Sequence, residues 1–404
     1  MARWRPCLAG ILILLAGCRE DTYIFPAASV VDKDAPSLES IDKKRWAEMN
    51  AFALATTRAV ANDNSGNVAL CPLGLWSAGA VLLNAANGTS FEAASSFLGL
   101  KDPSLDDLNA AQRAWHASLP ADGPLKEGLG VFMIWPVLVA HDFQDEMARD
   151  YRADVMKIGS AGDGARNSIN AWASRRTGGA IENPVQELSK QTIFTILHVA
   201  SFKGKWTQPF KPDFTEPGTF HLRDGSVQTP MMRGEKSVRS LTGDQWVGAA
   251  IPFKDDRFAF VAAMPKVGDL DTALASAKTL PSLGQQNKTV HILLPKCRFS
   301  NQHDLLPILQ TRGAGRLLEP PNDLRRMSVE LDDEACIRRA YQVVDFELDE
   351  QGVVVKAVTG VDAAKADVEL PDELVFDKPF FWGVIDVQTG VYVFTGVVRD
   401  PSKG

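Results

Sequence analysis

The hydrophobic period of this chain changes once, and that change limits its fold more than any other feature. From about Asp42 the apolar residues recur at helical spacing, as in Trp46, Met49, Phe52, Leu54 and Val60. Residues 62–66 interrupt the run, and "NVALCPLGLWSAGAVLLNAANG" then enters a long apolar helix. Thr89 and Glu92 read as a capping box that starts the next helix, Thr89 accepting from the backbone and Glu92 reaching back. "GLGVFMIW" has strand character, a helix is expected from about Asp142 to Tyr151, and "ARNSINAWASRRTGG" predicts another that Gly178 and Gly179 stop. "TIFTILHVASF" is a continuous apolar run rich in β-branched residues, the pattern of a strand buried on both faces. Beyond residue 215 the period is mostly two, in "GTFHLRDGSVQTPMM", "WVGAAIPFKDDRFAFVAAMP" and "TVHILLPKCRF", with Asp-Gly and Asp-Asp at the turns. Helices early and strands late, without βα alternation, predict a single α+β domain. There is no internal repeat and no low-complexity tract.

The N-terminus stands apart. Arg3 and Arg5 precede an apolar run from Cys7 to Gly17, which is shorter than the ~20 residues a membrane-spanning helix needs but suits a signal peptide. Leu15-Ala16-Gly17-Cys18 resembles the bacterial lipobox, which implies removal of residues 1–17, acylation of Cys18, and export to a lipid-anchored place on the envelope. In a Gram-negative host, Arg19 in place of Asp favours the outer membrane. Residues 18–41 are then the lipidated cysteine and a polar tether spanning roughly 25–30 Å, and 42–404 form the folded domain. Of the five cysteines, Cys71, Cys297 and Cys336 remain, an odd number that makes no disulfide framework. A net charge of −7 argues against nonspecific nucleic-acid binding.

The chain has none of the contiguous signatures of catalysis: no GxSxG, HExxH, GxxxxGK[ST] or Rossmann glycine pattern. Its six histidines are scattered, and no cysteine stands at metal-ligand spacing to another ligand. No metal or cofactor is expected, and no enzymatic activity.

Residues 349–371 pose a different problem. "DEQGVVVKAVTGVDAAKADVELP" has the composition of a strand but no turn that would fold it onto a partner. If Gly352 is a hinge, Val353, Val355, Ala357, Thr359, Val361 and Ala363 share one face, all small or β-branched and uncharged. Both charges of the segment's middle, Lys356 and Asp362, fall on the other face.

Several segments together resemble the serpins, the protease-inhibitor superfamily. "NVALCPLGLWSAGAVLLNAANGTSFEAASSFLGL" is similar to the family's early helix pair. "INAWASRRTGGAIENPV" matches its Asn-x-Trp and Thr-x-Gly-x-Ile pattern, and "FKGKWTQPF" a specific signature through Phe202, Lys203, Gly204, Trp206 and Phe210. "DGSVQTPMM", "LPKCRF" and "VFDKPFFWGVIDVQTGVYVFTGVVRDP" follow in family order, so the likeness spans about residues 42–400. The resemblance implies about nine helices and three β-sheets with an exposed reactive-centre loop, here about 352–375. A serine or cysteine protease cuts that loop as bait, and its upstream half inserts as a new strand of the main sheet, trapping the acyl-enzyme. It also implies a monomer whose partners are that protease and, through Cys18, a membrane.

The resemblance assigns residues one by one. Glu350-Gln351-Gly352 marks the start of the loop, and Lys296 is expected to pair with Glu350. Trp206 closes the sheet-opening region. Where the family has a polar cluster beneath the sheet, this chain has Cys71, Gly74, His198 and Gln342, from which an imidazole–amide pair is expected. Val353 replaces the usual Thr of the exposed hinge, and Val355-Lys356-Ala357-Val358 most of an alanine run. Counting from Gly352 places the residue before the cut at Ala366, next to Lys365; counting back from Pro371 and Pro379 places it at Val368. A serpin-fold protein that binds without trapping remains the alternative.

Overall fold

The structure, a computed structural model, describes residues 22–25, 32–101, 103–120, 122–134, 137–159, 162–242, 244–282, 288–331, 333–354 and 373–403. The signal segment 1–17, Cys18, Val355, Ala357, Thr359, Val361, Ala363, Lys365, Ala366 and Val368 lie outside the described residues.

The first half of the chain contributes β1 (Thr22–Phe25), α1 (Lys43–Asp63), β2 (Val68–Leu70), α2 (Pro72–Ala85), α3 (Gly88–Leu98) and α4 (Leu105–Ser118). It continues through β3 (Leu125–Met133), α5 (His141–Tyr151), β4 (Asp154–Ile158), α6 (Asp163–Arg176) and β5 (Phe194–Lys205). The second half is mainly strands: β6 (Glu216–His221), β7 (Ser226–Thr242), β8 (Trp246–Pro252) and β9 (Phe258–Pro265), then the short helix α7 (Leu270–Ser276). The remainder is β10 (Lys288–Pro295), β11 (Cys297–Asp304), α8 (Leu306–Leu309), β12 (Tyr341–Leu348), β13 (Gly352–Val354), β14 (Glu373–Val375), β15 (Phe380–Asp386) and β16 (Tyr392–Val398).

These strands form two sheets. One has seven strands in the order β1-β4-β3-β5-β13-β12-β11. The other has nine, because β7 is long enough to serve two sheets. Its first part pairs with β6 and β10, and residues 239–242 pass on to β8, merging two of the three expected sheets.

Local sequence explains the helices. Asp42 caps α1 by accepting from the Lys44 amide at 2.9 Å, and Trp46, Met49, Phe52, Ala53 and Val60 form its buried face. α2 begins with Pro72, where the missing N–H costs nothing. It is buried nearly all round, as a helix must be when it packs between β5 of one sheet and β16 of the other. The seven-stranded sheet has a core on both faces: the main one behind it, and a smaller one under α6 built on Phe132, Met156, Ile169, Trp172 and Val199.

Three expectations need correction. α3 begins at Gly88 with Asn87 as its cap residue, so Thr89 and Glu92 lie inside the helix and make no capping box. Asn87 is instead pinned from outside, its amide donating to the Asp323 carbonyl at 2.9 Å. Residues 22–25 are not free tether: Thr-Tyr-Ile-Phe pairs antiparallel with β4, Thr22 opposite Ile158, because its β-branched and aromatic residues suit a sheet edge. Asp32 adds a second anchor, accepting from Arg113 Nη2 on α4 at 2.9 Å. Finally, the first five residues of β5, 194–198, are half-buried rather than buried on both faces.

α4 is tied to the nine-stranded sheet by a buried pair. Arg257 Nη2 lies 2.8 Å from Asp386 Oδ2, and Trp115 Nε1 donates to the same oxygen at 3.0 Å. Removing one member of such a pair strands the other charge. Asp386→Ala is therefore expected to lower unfolding free energy by about 3–5 kcal/mol in urea titrations monitored by circular dichroism, with the slope unchanged.

Candidate functional site

The seven-stranded sheet is interrupted at one place. β5 pairs with β3 along residues 194–202, and β12 pairs with β11 along its whole length. Among the described residues, only β13 runs between β5 and β12. Gly352, Val353 and Val354 pair with Lys205, Gly204 and Lys203 on one side. Val353 and Val354 pair with Leu348 and Glu347 on the other. Below that point, residues 194–202 and 341–346 have no ladder partner on their facing edges among the described residues. β13 enters this lane antiparallel to both walls.

Val353 was expected in an exposed hinge. It is instead 4% exposed and already paired on both sides. The cause is the turn that precedes it. The amides of Gln351 and Gly352 both donate to Asp349 Oδ1, at 2.8 and 3.1 Å, which closes a tight reversal out of β12. Three successive carbonyls of this turn are then taken by the "FKGKWTQPF" segment. Trp206 Nε1 donates to Asp349 O at 3.0 Å. The Phe210 amide donates to Glu350 O at 2.8 Å, and the Trp206 amide to Gln351 O at 2.9 Å. Trp206 is fixed in turn by stacking on Phe253, ring centroids 5.1 Å apart. Gly352 is required by contact: an ideal Cβ there would sit 1.9 Å from the Gly204 carbonyl oxygen.

Glu350 points away from the lane. Lys296 Nζ lies 2.8 Å from its Oε2, and Thr215 Oγ1 donates to its Oε1 at 2.9 Å. Burial alone would raise this carboxyl, but the bonds from Lys296, the backbone and Thr215 outweigh it and hold the group below the ordinary carboxylate range.

A second group lies six register positions further along β5, about 20 Å at 3.3 Å per residue. Gln342 of β12 makes a two-way bond to the Cys71 backbone: Oε1 accepts from the amide at 2.8 Å and Nε2 donates to the carbonyl at 2.9 Å. His198 of β5 rests on Gly74 of α2, where an ideal Cβ would come 2.4 Å from Nδ1. The expected imidazole–amide bond is not made. Gln342 is satisfied by backbone, and His198 Nε2 lies 3.4 Å from Glu127 Oε2 of β3. Both walls of the lane thus rest on the first turn of the same helix.

The residues expected at the site fall into these two groups. Trp206, Lys296, Glu350, Gly352 and Val353 meet at the mouth of the lane, and Cys71, His198 and Gln342 beneath its middle. Thr215, Asp349 and Glu127 were not anticipated. Glu127 did leave a signal: it falls on the same strand face as Leu125, Leu129 and Val131, a charge where the alternation calls for an apolar residue. Burial pushes the Cys71 thiol up to about 12, so it is neutral, and Cys71, Cys297 and Cys336 are free.

Comparison with known proteins agrees with this geometry. The family profile described as "Serpin (serine protease inhibitor)" matches residues 47–401. Alpha-1-antiproteinase of Rattus norvegicus is 24% identical over 417 residues, covering 98% of this chain and 100% of that protein. Alpha-1-antiproteinase 2 of Equus caballus is 25% identical over 366 residues, covering 87% and 86%. Among solved structures, the thermophilic serpin tengpin in its native state superposes with a TM-score of 0.79 at 20% identity, covering 93% of this chain and 100% of that one. Human glycosylated kallistatin gives 0.76 at 22% identity, covering 90% and 98%. At these identities the solved structures share the fold.

The Glu350 geometry predicts a pH dependence. A carboxyl held below its unfolded value of ~4.3 stabilises the fold above that pH, and the contribution is lost as pH falls through the folded value. Because Lys296 is about half exposed, its share is discounted for screening. Lys296→Met is expected to cost about 1 kcal/mol at pH 7, with the difference from wild type shrinking as the pH falls below the ordinary carboxylate range in denaturant titrations.

Proposed function

The chain belongs to the serpin family of protease inhibitors, and from that premise we propose that it traps its target as a suicide substrate. The nucleophile of a serine or cysteine protease attacks the carbonyl at the reactive bond, near Ala366 or Val368, and forms an acyl-enzyme with release of the downstream amine. The upstream segment then continues β13 down the lane between β5 and β12. Insertion carries the attached protease away before water can complete deacylation. The observation that supports this reading is the pairing of Val353 between Gly204 and Leu348 at the head of two edges that have no further partner among the described residues.

The register supports it as well. Continued past Val354, the pairing of β13 would bring Val355 opposite Phe202 and Phe346, and Thr359 opposite His198 and Gln342. The single polar residue on the inserting face would then reach the polar group beneath the sheet, and the valines and alanines would meet apolar walls. Insertion gains ladder bonds on both edges and buries apolar area worth roughly 25 cal/mol per Å². A second reading keeps the fold without the trap. It is favoured by the branched Val355, whose bulk slows insertion and gives deacylation time to win.

We further propose that the domain is exported and held to a bacterial envelope through lipid on Cys18, at the outer membrane if the host is Gram-negative. Metabolic labelling with a fatty acid tests this. Wild type is expected to incorporate label and Cys18→Ser to lose it; equal labelling would refute the anchor.

Incubation with a panel of serine and cysteine proteases, followed by denaturing gels and N-terminal sequencing of the released fragment, tests the inhibitory reading. A gel-stable complex is expected, and cleavage without any complex would favour the second reading. Cutting between residues 360 and 370 is expected to raise the melting temperature by ten degrees or more, on the order of 8 kcal/mol for a domain of this size. Val353→Arg places a charge at a site that is already buried. The substitution is expected to expel β13 from the mouth of the lane, leave the remaining fold intact, and shift the product from complex to cleaved chain.

A further inference from the structure

The chain leaves the seven-stranded sheet at a definite end on its way to Cys18. β1 pairs antiparallel with β4, Thr22 opposite Ile158, and β4 runs parallel to β3, Lys157 beside Met133. Met133 in turn faces Phe194 at the start of β5. Thr22 therefore lies in the row that ends the sheet, while the mouth of the lane is at Lys205, the far end of this twelve-residue strand. The two ends are roughly 36 Å apart at 3.3 Å per residue. Residues 19–21 alone separate Thr22 from Cys18, a reach of about 14 Å when fully extended. Asp32 anchors the chain again beyond β1, accepting from Arg113 Nη2 at 2.9 Å.

The same end carries an exposed apolar pair. Leu138 lies between the end of β3, where the Ile134 amide donates to the Ile193 carbonyl at 2.8 Å, and the start of α5. α5 then returns the chain to the start of β4, beside Gly130, so its first turn is at the Met133 end. Among the described residues five large apolar side chains are exposed, and two of them, Leu138 at 64% and Val329 at 77%, adjoin here. The Leu138 amide donates to Glu330 Oε2 at 2.6 Å, and the Ala140 amide to the Met327 carbonyl at 2.8 Å. A single exposed leucine or valine needs no explanation. These two stand together, on the end of the molecule that a lipid on Cys18 would hold within about 14 Å of a bilayer. The charges around them are mixed, Lys190 and Arg326 against Asp142 and Glu330, and give no net pull toward anionic lipid.

From this geometry, and resting on the Cys18 anchor proposed above, we propose that β1 sets the domain upright on the bilayer, with Leu138 and Val329 entering the lipid interface and the mouth of the lane turned outward. A tether this short gives the pair a local concentration on the order of millimolar, so a contact too weak to hold a free chain suffices. Without the pairing of β1 the tether would run on to Asp32 and hold the pair more loosely. The contact is also reversible. Continued past Val354, the pairing of β13 reaches Phe194 at residue 363, so on the insertion reading a trapped protease arrives at this same end. Two aliphatic side chains yield to it while the lipid keeps the chain.

Hydroxyl-radical footprinting tests this on the lipidated full chain in vesicles of phosphatidylethanolamine with a quarter phosphatidylglycerol, beside the soluble Cys18→Ser chain. Mass spectrometry reads oxidation at Leu138, Val329 and Phe214, the last being exposed and next to Thr215 at the mouth of the lane. On vesicles, oxidation of Leu138 and Val329 is expected to fall about fivefold, at low and high salt alike, and that of Phe214 to stay the same. Tyr23→Pro combined with Ile24→Pro removes two adjacent backbone donors, one of which faces β4. This variant, its fold checked by circular dichroism, is expected to stay on the vesicles and to recover at least half of the lost oxidation. Unchanged oxidation of Leu138 and Val329 in vesicle-bound wild type, equal protection of Phe214, protection that vanishes in high salt, or full protection in the double-proline variant each overturns the proposal and leaves the anchor standing. Wild type that does not float with the vesicles overturns the anchor, and the proposal with it.

Discussion

A strand edge is a row of unpaired N–H and C=O groups, and the physics of sheets works against leaving two such edges facing each other. Among the described residues, the facing edges of β5 and β12 are joined only at their head, by the three residues of β13. Everything else about the site follows from how that arrangement is held. The turn before β13 is clamped by three hydrogen bonds from the segment around Trp206 and by the Lys296–Glu350 pair. The far ends of the walls rest on α2, β5 through His198 against Gly74 and β12 through Gln342 on the Cys71 backbone. The sheet is thus fixed at the mouth and at the middle of the lane, with ladder groups between that have no partner among the described residues.

This distribution separates strength from readiness. The nine-stranded sheet and the helices around it supply a large, continuous core, with buried ties such as Arg257–Asp386 between layers. The lane contributes no ladder bonds below Val354 among the described residues, so it is the place where the fold has most to gain. Adding one central strand satisfies two edges at once. On the insertion reading proposed above, the free energy of trapping is held as unmade hydrogen bonds rather than as strained contacts.

Much of the architecture was legible because its signals are local and periodic. The change from helical to alternating apolar spacing near residue 215, the turn residues between strands, and the ordered segments around Trp172, Trp206 and Phe381 foretold the element order. Residues 353–363 confine charge to alternate positions, and the insertion proposal rests on that pattern. What escaped reading depends on contacts between distant residues. Nothing local says that Thr22 to Phe25 will find the edge of β4, that Asn87 rather than Thr89 will cap α3, or that Val353 will be seated in the sheet. The expected bond between His198 and Gln342 failed for the same reason. Each has a better partner supplied by another element: Glu127 from β3, and the backbone at Cys71.

The central claim is that the lane between β5 and β12 is the seat of a strand continuing from Val354. Hydrogen–deuterium exchange of residues 194–202 and 341–346, before and after the loop is cut, tests it most directly. The account predicts that amides on both facing edges pass from fast exchange to strong protection once the loop is cut, with little change in the nine-stranded sheet. Equal exchange before and after the cut, or protection on one edge alone, would contradict it.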